Sequence, residues 1–347
     1  MKRLARWLLR IIVVLVVVAI LLAVPVARNE WACQGTPVAD SYQSLLPPGT
    51  HRAEARTLLT YPEWHIVHAY DDYARVISTE DPHDFDYLKA IGGYWSSLCA
   101  LTEASAAHGG MDTPTKQLVY VIGTSFTLEL LAKAAYEETL GRLATLIRGD
   151  ARAPLDEVSA QQAADYARFL QQTPWYLWDF SAAQNALAAA STGSFRDRER
   201  RLALGIENAA KSAYAGVIAS AVAATGNDDL TLHMIAKGLD PDAYDGVTLV
   251  AERSQGRVLA TPRYRALTLI LDDMAQDGAT FVEIAGNDDI LLTATSPDPT
   301  APGALHSFPR QGYGDYRHLI MVKVPDLAQR LRDLPGAGLT LEHIHDY

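Results

Sequence analysis

Residues 280–295 read TFVEIAGNDDILLTAT. Two apolar, β-branched runs, 280–284 and 290–295, flank Gly286-Asn287-Asp288. A short Gly/Asn/Asp turn between two such runs is a hairpin signal. Working outward, similar runs occur at 247–251, 258–261, 319–324 and 339–344, while 263–276 and 326–334 carry the helical period. Upstream, from 53 to 225, the helical period dominates. It predicts helices near 53–78, 84–108, 114–148, 156–172, 179–190 and 195–224, separated by Asp81-Pro82, Gly109-Gly110, Gly149-Asp150, Pro154 and Pro174.

The strands and helices after residue 226 alternate roughly as strand, helix, strand, strand, long loop, strand, helix, strand. That order is close to a split βαβ, ferredoxin-like α/β sandwich with an added strand. The loop at 296–316 is long and rich in Pro and Gly, a length that is uncommon and often functional. The class is therefore α+β. The division is a basic tail at 1–10, an apolar helix at 11–27, a linker at 28–52, a helical domain at 53–225 and an α/β domain at 226–347.

Residues 11–27 (IIVVLVVVAILLAVPVA) are an uncharged run of 17, extended by Trp7, Leu8 and Leu9 beyond Arg10. A spanning helix needs about 20 apolar residues, whereas a cleavable signal core has about 7–15. The run is read as an uncleaved transmembrane anchor. Lys2, Arg3, Arg6 and Arg10 precede it and only Arg28 follows closely, so the positive-inside rule places the N-terminus in the cytoplasm. Arginine outnumbers lysine 23 to 7, the usage of a GC-rich bacterial genome. The expectation is a single-pass protein of the cytoplasmic (inner) membrane with an extracytoplasmic domain. Cys33 and Cys99 are the two cysteines, and in an exported chain they form a candidate disulfide.

Residues 1–28 hold five Lys/Arg and no acid, which leaves 25 basic and 41 acidic residues beyond them, a net of −16. Such a domain repels a phosphate backbone, so nucleic acid is not an expected partner. The chain has no Walker-type loop, HExxH, CxxC or GxSxG, which argues against a nucleotide-driven motor, a zincin, a thiol oxidoreductase and an ordinary α/β hydrolase.

Four constellations remain. In 61–73 (YPEWHIVHAYDDY), Pro62 suits a helix start, and Tyr61, His65, His68 and Asp72 fall at i, i+4, i+7 and i+11 on one face. Two imidazoles and a carboxylate there make His65, His68 and Asp72 the candidate ligands of a divalent metal. The competing reading is an aromatic-rich packing helix. The second is an octet, E-x-x-A-K-x-A-Y, at 129–136 and again at 207–214. Glu129, Lys133 and Tyr136, like Glu207, Lys211 and Tyr214, share one helical face, so two matching faces could line one buried polar site. The third is His343 and His345, on one side of the terminal strand by alternation. The fourth is the aromatic cluster at 175–180 (WYLWDF).

Three functions compete. The leading one is a non-catalytic binding or scaffold protein of the envelope, which predicts a large exposed apolar patch. A metal-dependent enzyme needs His65 and His68 in one cleft with a carboxylate such as Glu129 or Glu137. A protein for lipid or another hydrophobic ligand needs an elongated cavity between 117–135 and 213–224.

Overall fold

The period-3.6 pattern of 53–225 and the β-branched runs beyond it produce a mixed architecture of helices and antiparallel sheets. The computed structural model describes residues 2–39, 41–53, 55–225 and 230–346; the boundary expected at 226 lies outside them. Helix α1 (Lys2–Ala32) leads into α2 (Ala55–Ile77), α3 (Tyr87–Ser105) and α4 (Thr113–Tyr136). A π-helical turn, Glu137–Gly141, joins α4 to α5 (Arg142–Arg148) in one rod; α6 (Pro154–Leu170), α7 (Phe180–Ala190) and α8 (Phe195–Thr225) follow. Asp86, Asp112 and Asp179 each accept a backbone N–H at the start of α3, α4 and α7, which fixes those boundaries. Pro62 lies inside α2, not at its start. The apolar side of 55–61 carries the helix about two turns further back, where Leu58 and Tyr61 are fully buried. Cys33 and Cys99 are joined in a disulfide that ties the end of α1 to α3.

The second half contains two sheets. Strands β1 (Thr231–Lys237), β2 (Thr248–Arg253) and β3 (Gly256–Pro262), helix α9 (Arg265–Gln276) and strand β4 (Thr280–Ile284) form the first unit. Strands β5 (Asp289–Ser296), β6 (Ala304–Pro309) and β7 (Tyr316–Lys323), helix α10 (Val324–Asp333) and strand β8 (Thr340–His345) form the second. Their strand orders, β2-β3-β1-β4 and β6-β7-β5-β8, are the same order twice. The irregularities repeat as well. The β1–β4 register slips between Ile235 and Ala236, and β5–β8 slips between Thr293 and Ala294. The β2–β3 and β6–β7 ladders each skip one residue, Val250 and Leu305, at matching positions. A bulge that recurs at the same place in two sheets is a built feature, so the two units are repeats of one another.

This corrects three expectations. The turn at 285–288 does not close a hairpin: β4 and β5 belong to different sheets, and only an isolated bridge links Ile284 to Asn287. Ala285 and Gly286 both take positive φ there, 51° and 84°, which swings the chain from one sheet to the other. Two four-stranded sheets stand where one ferredoxin-like sandwich was expected. The loop at 296–316 contains β6, and β1 had not been foreseen at all.

The inner faces of both sheets close on α9 and α10 in one core. The outer face of the first sheet is covered by the lead-in segment: the fully buried Glu283 accepts from Tyr42 Oη (2.6 Å), Ser44 Oγ (2.7 Å) and the N–H groups of Leu45 (2.6 Å) and Leu46 (2.9 Å). The outer face of the second is covered by α2, with Leu291 and Leu319 joining the helical core of Leu58, Trp64, Tyr94 and Phe126. The two halves of the chain therefore share a core.

Candidate functional site

The polar groups that matter lie in that shared core. From α2 come Tyr61, Trp64, His68 and Asp72; from β7, Arg317; from β8, Glu342, His343 and His345; and from the β6–β7 turn, Arg310. The bulge opposite Thr293 lets Glu342 and His343 serve the same side of the strand. Arg317 and Glu342 form a two-point pair, Nε–Oε2 2.5 Å and Nη2–Oε1 2.7 Å. Asp72 Oδ1 stands 3.8 Å from Arg317 and 3.9 Å from Arg310, while its Oδ2 accepts from Gln311 N–H at 3.0 Å. His68 Nε2 lies 3.7 Å from Glu342 Oε2.

The imidazoles gather around an indole. His343 stacks on Trp64 with centroids 3.4 Å apart, and His345 meets Tyr61, Trp64 and His343 edge-on at 5.3, 5.8 and 4.8 Å. Thr268 of α9 accepts from Ile344 N–H and sits 2.8 Å from His343 Nδ1, which holds that ring flat. Among the described residues, eleven buried side-chain N or O atoms lack a hydrogen-bond partner. Seven of them are here: Tyr61 Oη, His68 Nε2, Asp72 Oδ1, Arg310 Nε, His343 Nε2 and both nitrogens of His345. Edge-on rings turn N–H groups toward π faces, a weak substitute for a hydrogen bond.

Burial sets the protonation. It pushes His65 and His345 down to about 3, and His68 and His343 well below the ordinary imidazole value, so all four are neutral. Burial raises Asp72 to about 7 against the pull of Arg317 and Gln311. Glu342 is also pushed up by burial, but Arg317 outweighs that and leaves it lowered.

The proposed ligand set does not converge. His65 points to α3, where Nε2 lies 3.0 Å from Ala90 O and a Cβ on Gly93 would meet the ring at 2.8 Å. The carboxylate beside His68 is Glu342, from a strand, and neither Glu129 nor Glu137. Among the described residues, the one group of three His, Cys, Asp or Glu side chains within metal reach is Asp81, His83 and Asp84. There Arg148 already binds Asp81 through both nitrogens, at 2.7 and 3.0 Å.

The two octets do meet. Lys133 Nζ is 2.9 Å from Glu207, and Lys211 Nζ is 2.9 Å from Glu129 and 3.0 Å from Glu207. With the 3.9 Å Glu129–Lys133 contact the four charges close into a ring, capped by Tyr70, which donates to Glu129 at 2.5 Å. Burial would raise both carboxyls, but the lysines overcome it and hold Glu129 low and Glu207 at about 2. The tyrosines do not join: Tyr136 donates to Glu199, and Tyr214 lies against Trp175. The aromatics of 175–180 seal that end of the bundle with Tyr166. A void beside the ring holds about 10 Å³, at the lower limit for one water. Sequence reasoning missed a second network, in which Asp81, Arg148, Asp156, Arg196, Glu199, Arg200 and Glu137 alternate in sign. It also missed Arg317, whose signal was available: a charge in step with Leu319 and Met321 on a strand's apolar side.

The ring reveals a surface. Partners rise along α4 as they fall along α8 (Glu129–Lys211, Lys133–Glu207, Glu137–Arg200), so the helices are antiparallel. Leu118, Val121, Ser125, Leu128, Ala132, Ala135, Thr139, Leu143 and Leu146 are all exposed, at steps of three and four along the α4–α5 rod. Leu202, Ile206, Ala210, Ala213 and Val217 are exposed on α8. Leu128 and Ala132 precede Glu129 and Lys133 by one residue, as Ile206 and Ala210 precede Glu207 and Lys211. In antiparallel right-handed helices that offset puts both stripes on the same side, as one plate about 42 Å long at 1.5 Å per residue, edged by the exposed Glu138–Arg142 ion pair. Thr113–Arg148 is itself long and apolar enough to cross a membrane, and only 28% of its most apolar window is buried.

Two results are expected. Replacing Arg317 with Met leaves the largely buried Glu342 with only the longer 3.9 Å contact to Arg310, which should cost about 3 kcal/mol in denaturant unfolding. Arg317→Met/Glu342→Leu should recover most of it; an additive loss would show that the pair is not coupled. Neutral buried imidazoles also make the fold acid-sensitive. Their folded pKa values lie below the unfolded one of about 6.5, so their contribution is complete above that value and is lost as pH falls toward the folded values. Asp72, raised in the fold, works the other way between pH 7 and 4. The net loss from pH 7 to 5.5 should be on the order of 3 kcal/mol. His345→Leu, which removes a ring without hydrogen-bond partners, should flatten the net slope by roughly 40%, because Asp72 opposes the remaining rings. Equal melting temperatures at the two pH values would refute the neutral-imidazole account.

No protein-family model matches the chain, and neither a curated protein nor a solved structure does.

Proposed function

We propose that this chain is a single-pass, N-terminus-inside protein of the bacterial cytoplasmic membrane whose extracytoplasmic part is a non-catalytic binding scaffold. The observation that carries the reading is a contrast. The chemistry-bearing clusters are buried or half-buried and neutralise themselves by internal pairing, while the apolar plate on the α4–α5 rod and α8 is left open. Leu146 at 76% exposure, Leu202 at 65% and Ile206 at 63% are large for scattered surface residues, and a contiguous apolar surface marks a place of contact. Metal-dependent catalysis is less well supported, because His65, His68 and Asp72 face three different neighbours. A cavity for a hydrophobic ligand is less well supported too, because the ion ring occupies the space between α4 and α8. Each βββαβ repeat packs one helix against an antiparallel four-stranded sheet, and we read the pair as a binding platform.

The anchor is supported by α1, whose Ile12, Val13, Val16, Val17 and Ile20 are about half exposed and touch no core; a disulfide suits an oxidising compartment. Expressed in a bacterium, the full chain should stay with membranes through a high-pH carbonate wash, and Cys33 and Cys99 should resist maleimide until reduced. Release by the wash, or labelling of both thiols without reductant, would refute the placement.

A further inference from the structure

The plate needs a cover, and the place where it begins says which. The apolar run of α1 ends at Ala27. Three residues on, about 4.5 Å of helix, Glu30 accepts from Tyr120 Oη at 2.7 Å and pairs with Lys116 at 3.0 Å, while Asn29 accepts from the same Tyr120 at 2.9 Å. The Cys33–Cys99 disulfide adds a covalent tie to α3. Leu118 and Val121, the first plate residues, flank Tyr120. The plate therefore starts within about one helical turn of the point where α1 leaves the hydrocarbon. Trp31, 87% exposed beside it, is the residue type that settles at a membrane–water interface.

We infer that the plate lies on the outer surface of the bilayer that holds α1, so that the domain rests along the membrane on α4, α5 and α8. The inference depends on the anchor reading and adds an orientation to it. Three features favour lipid over a protein partner. The plate is continuous with the anchor. It is built from two antiparallel helices side by side, which suits a flat cover. Its stripe positions carry no charge, so laying them against the interface buries apolar side chains without desolvating an ion; the net-acidic domain calls for a zwitterionic surface and not an anionic one.

The test uses the full chain in phosphatidylcholine vesicles, with a fluorophore on Val121→Cys, on Leu143→Cys or, as a control on the first sheet, on Glu252→Cys. Nitroxide-labelled lipid is the quencher. Quenching at 121 and 143 at least twofold stronger than at 252 is expected. Quenching at 121 and 143 no stronger than at 252, in protein that survives the carbonate wash, would overturn the inference and leave the anchor intact. Excimer emission from pyrene on Val121→Cys would also overturn it, because a second copy would then cover the plate. Loss of the protein in the wash would instead be a failure of the anchor reading.

Discussion

The architecture depends on the contact between α2 and the outer face of the second sheet. Covering a sheet with a helix normally requires apolar side chains on both, yet here the contact carries Arg317, Glu342, Asp72 and the histidines His68, His343 and His345. A buried charge is tolerated only with a partner and with hydrogen bonds. The two-point Arg317–Glu342 pair meets that condition. Trp64 supplies the apolar body around which His68, His343 and His345 arrange themselves. Each half supplies groups that the other neutralises or packs. This sets a polar cluster inside the apolar core that joins the helical bundle to the α/β unit.

The internal repeat shows how the second sheet came to accept α2. Equivalent bulges place Glu283 of β4 and His343 of β8 at the same site in their sheets, opposite Ile235 and Thr293. In the first repeat that residue is a carboxylate gathering the N–H and O–H groups of the lead-in segment. In the second it is a neutral ring stacked under an indole. The backbone solution is common, and the side chain at the bulge selects the cover. The bulge also brings the neighbouring Glu342 within reach of Arg317, two strands away across β5.

Much of the helical half was legible. The 3.6-residue period located every long helix, and the matching octets pointed to Glu129, Lys133, Glu207 and Lys211 before any contact was known. Their closure into a ring could not be read, because it depends on α4 and α8 being antiparallel neighbours. The face carrying His65, His68 and Asp72 was visible as well, but one helical face can meet several neighbours, and His65 turns to α3 while Asp72 turns to the β6–β7 turn. The sheets were the least legible part. β-branched runs reveal strands but not their partners, so the segment at 280–295 looks like a hairpin although its strands belong to two sheets. β6 was hidden by its Pro- and Gly-rich setting. β1 carries His233 and Lys237 at its edges, which masks its alternation. The repeat resides mainly in topology and register; its trace in the sequence is confined to the helix and last strand, where Leu267, Leu271, Asp273, Gly278, Thr280 and Ile284 recur sixty residues on as Leu327, Leu331, Asp333, Gly338, Thr340 and Ile344.

The central claim is that the buried cluster makes the two halves one cooperative unit, and hydrogen exchange tests it most directly. Amides of 58–72 in α2 and of 290–294 and 342–345 in β5 and β8 should open with the same free energy and the same denaturant dependence. If α2 exchanged through a lower-energy opening while β5 and β8 kept full protection, the halves would be separate units and the cluster a passive contact.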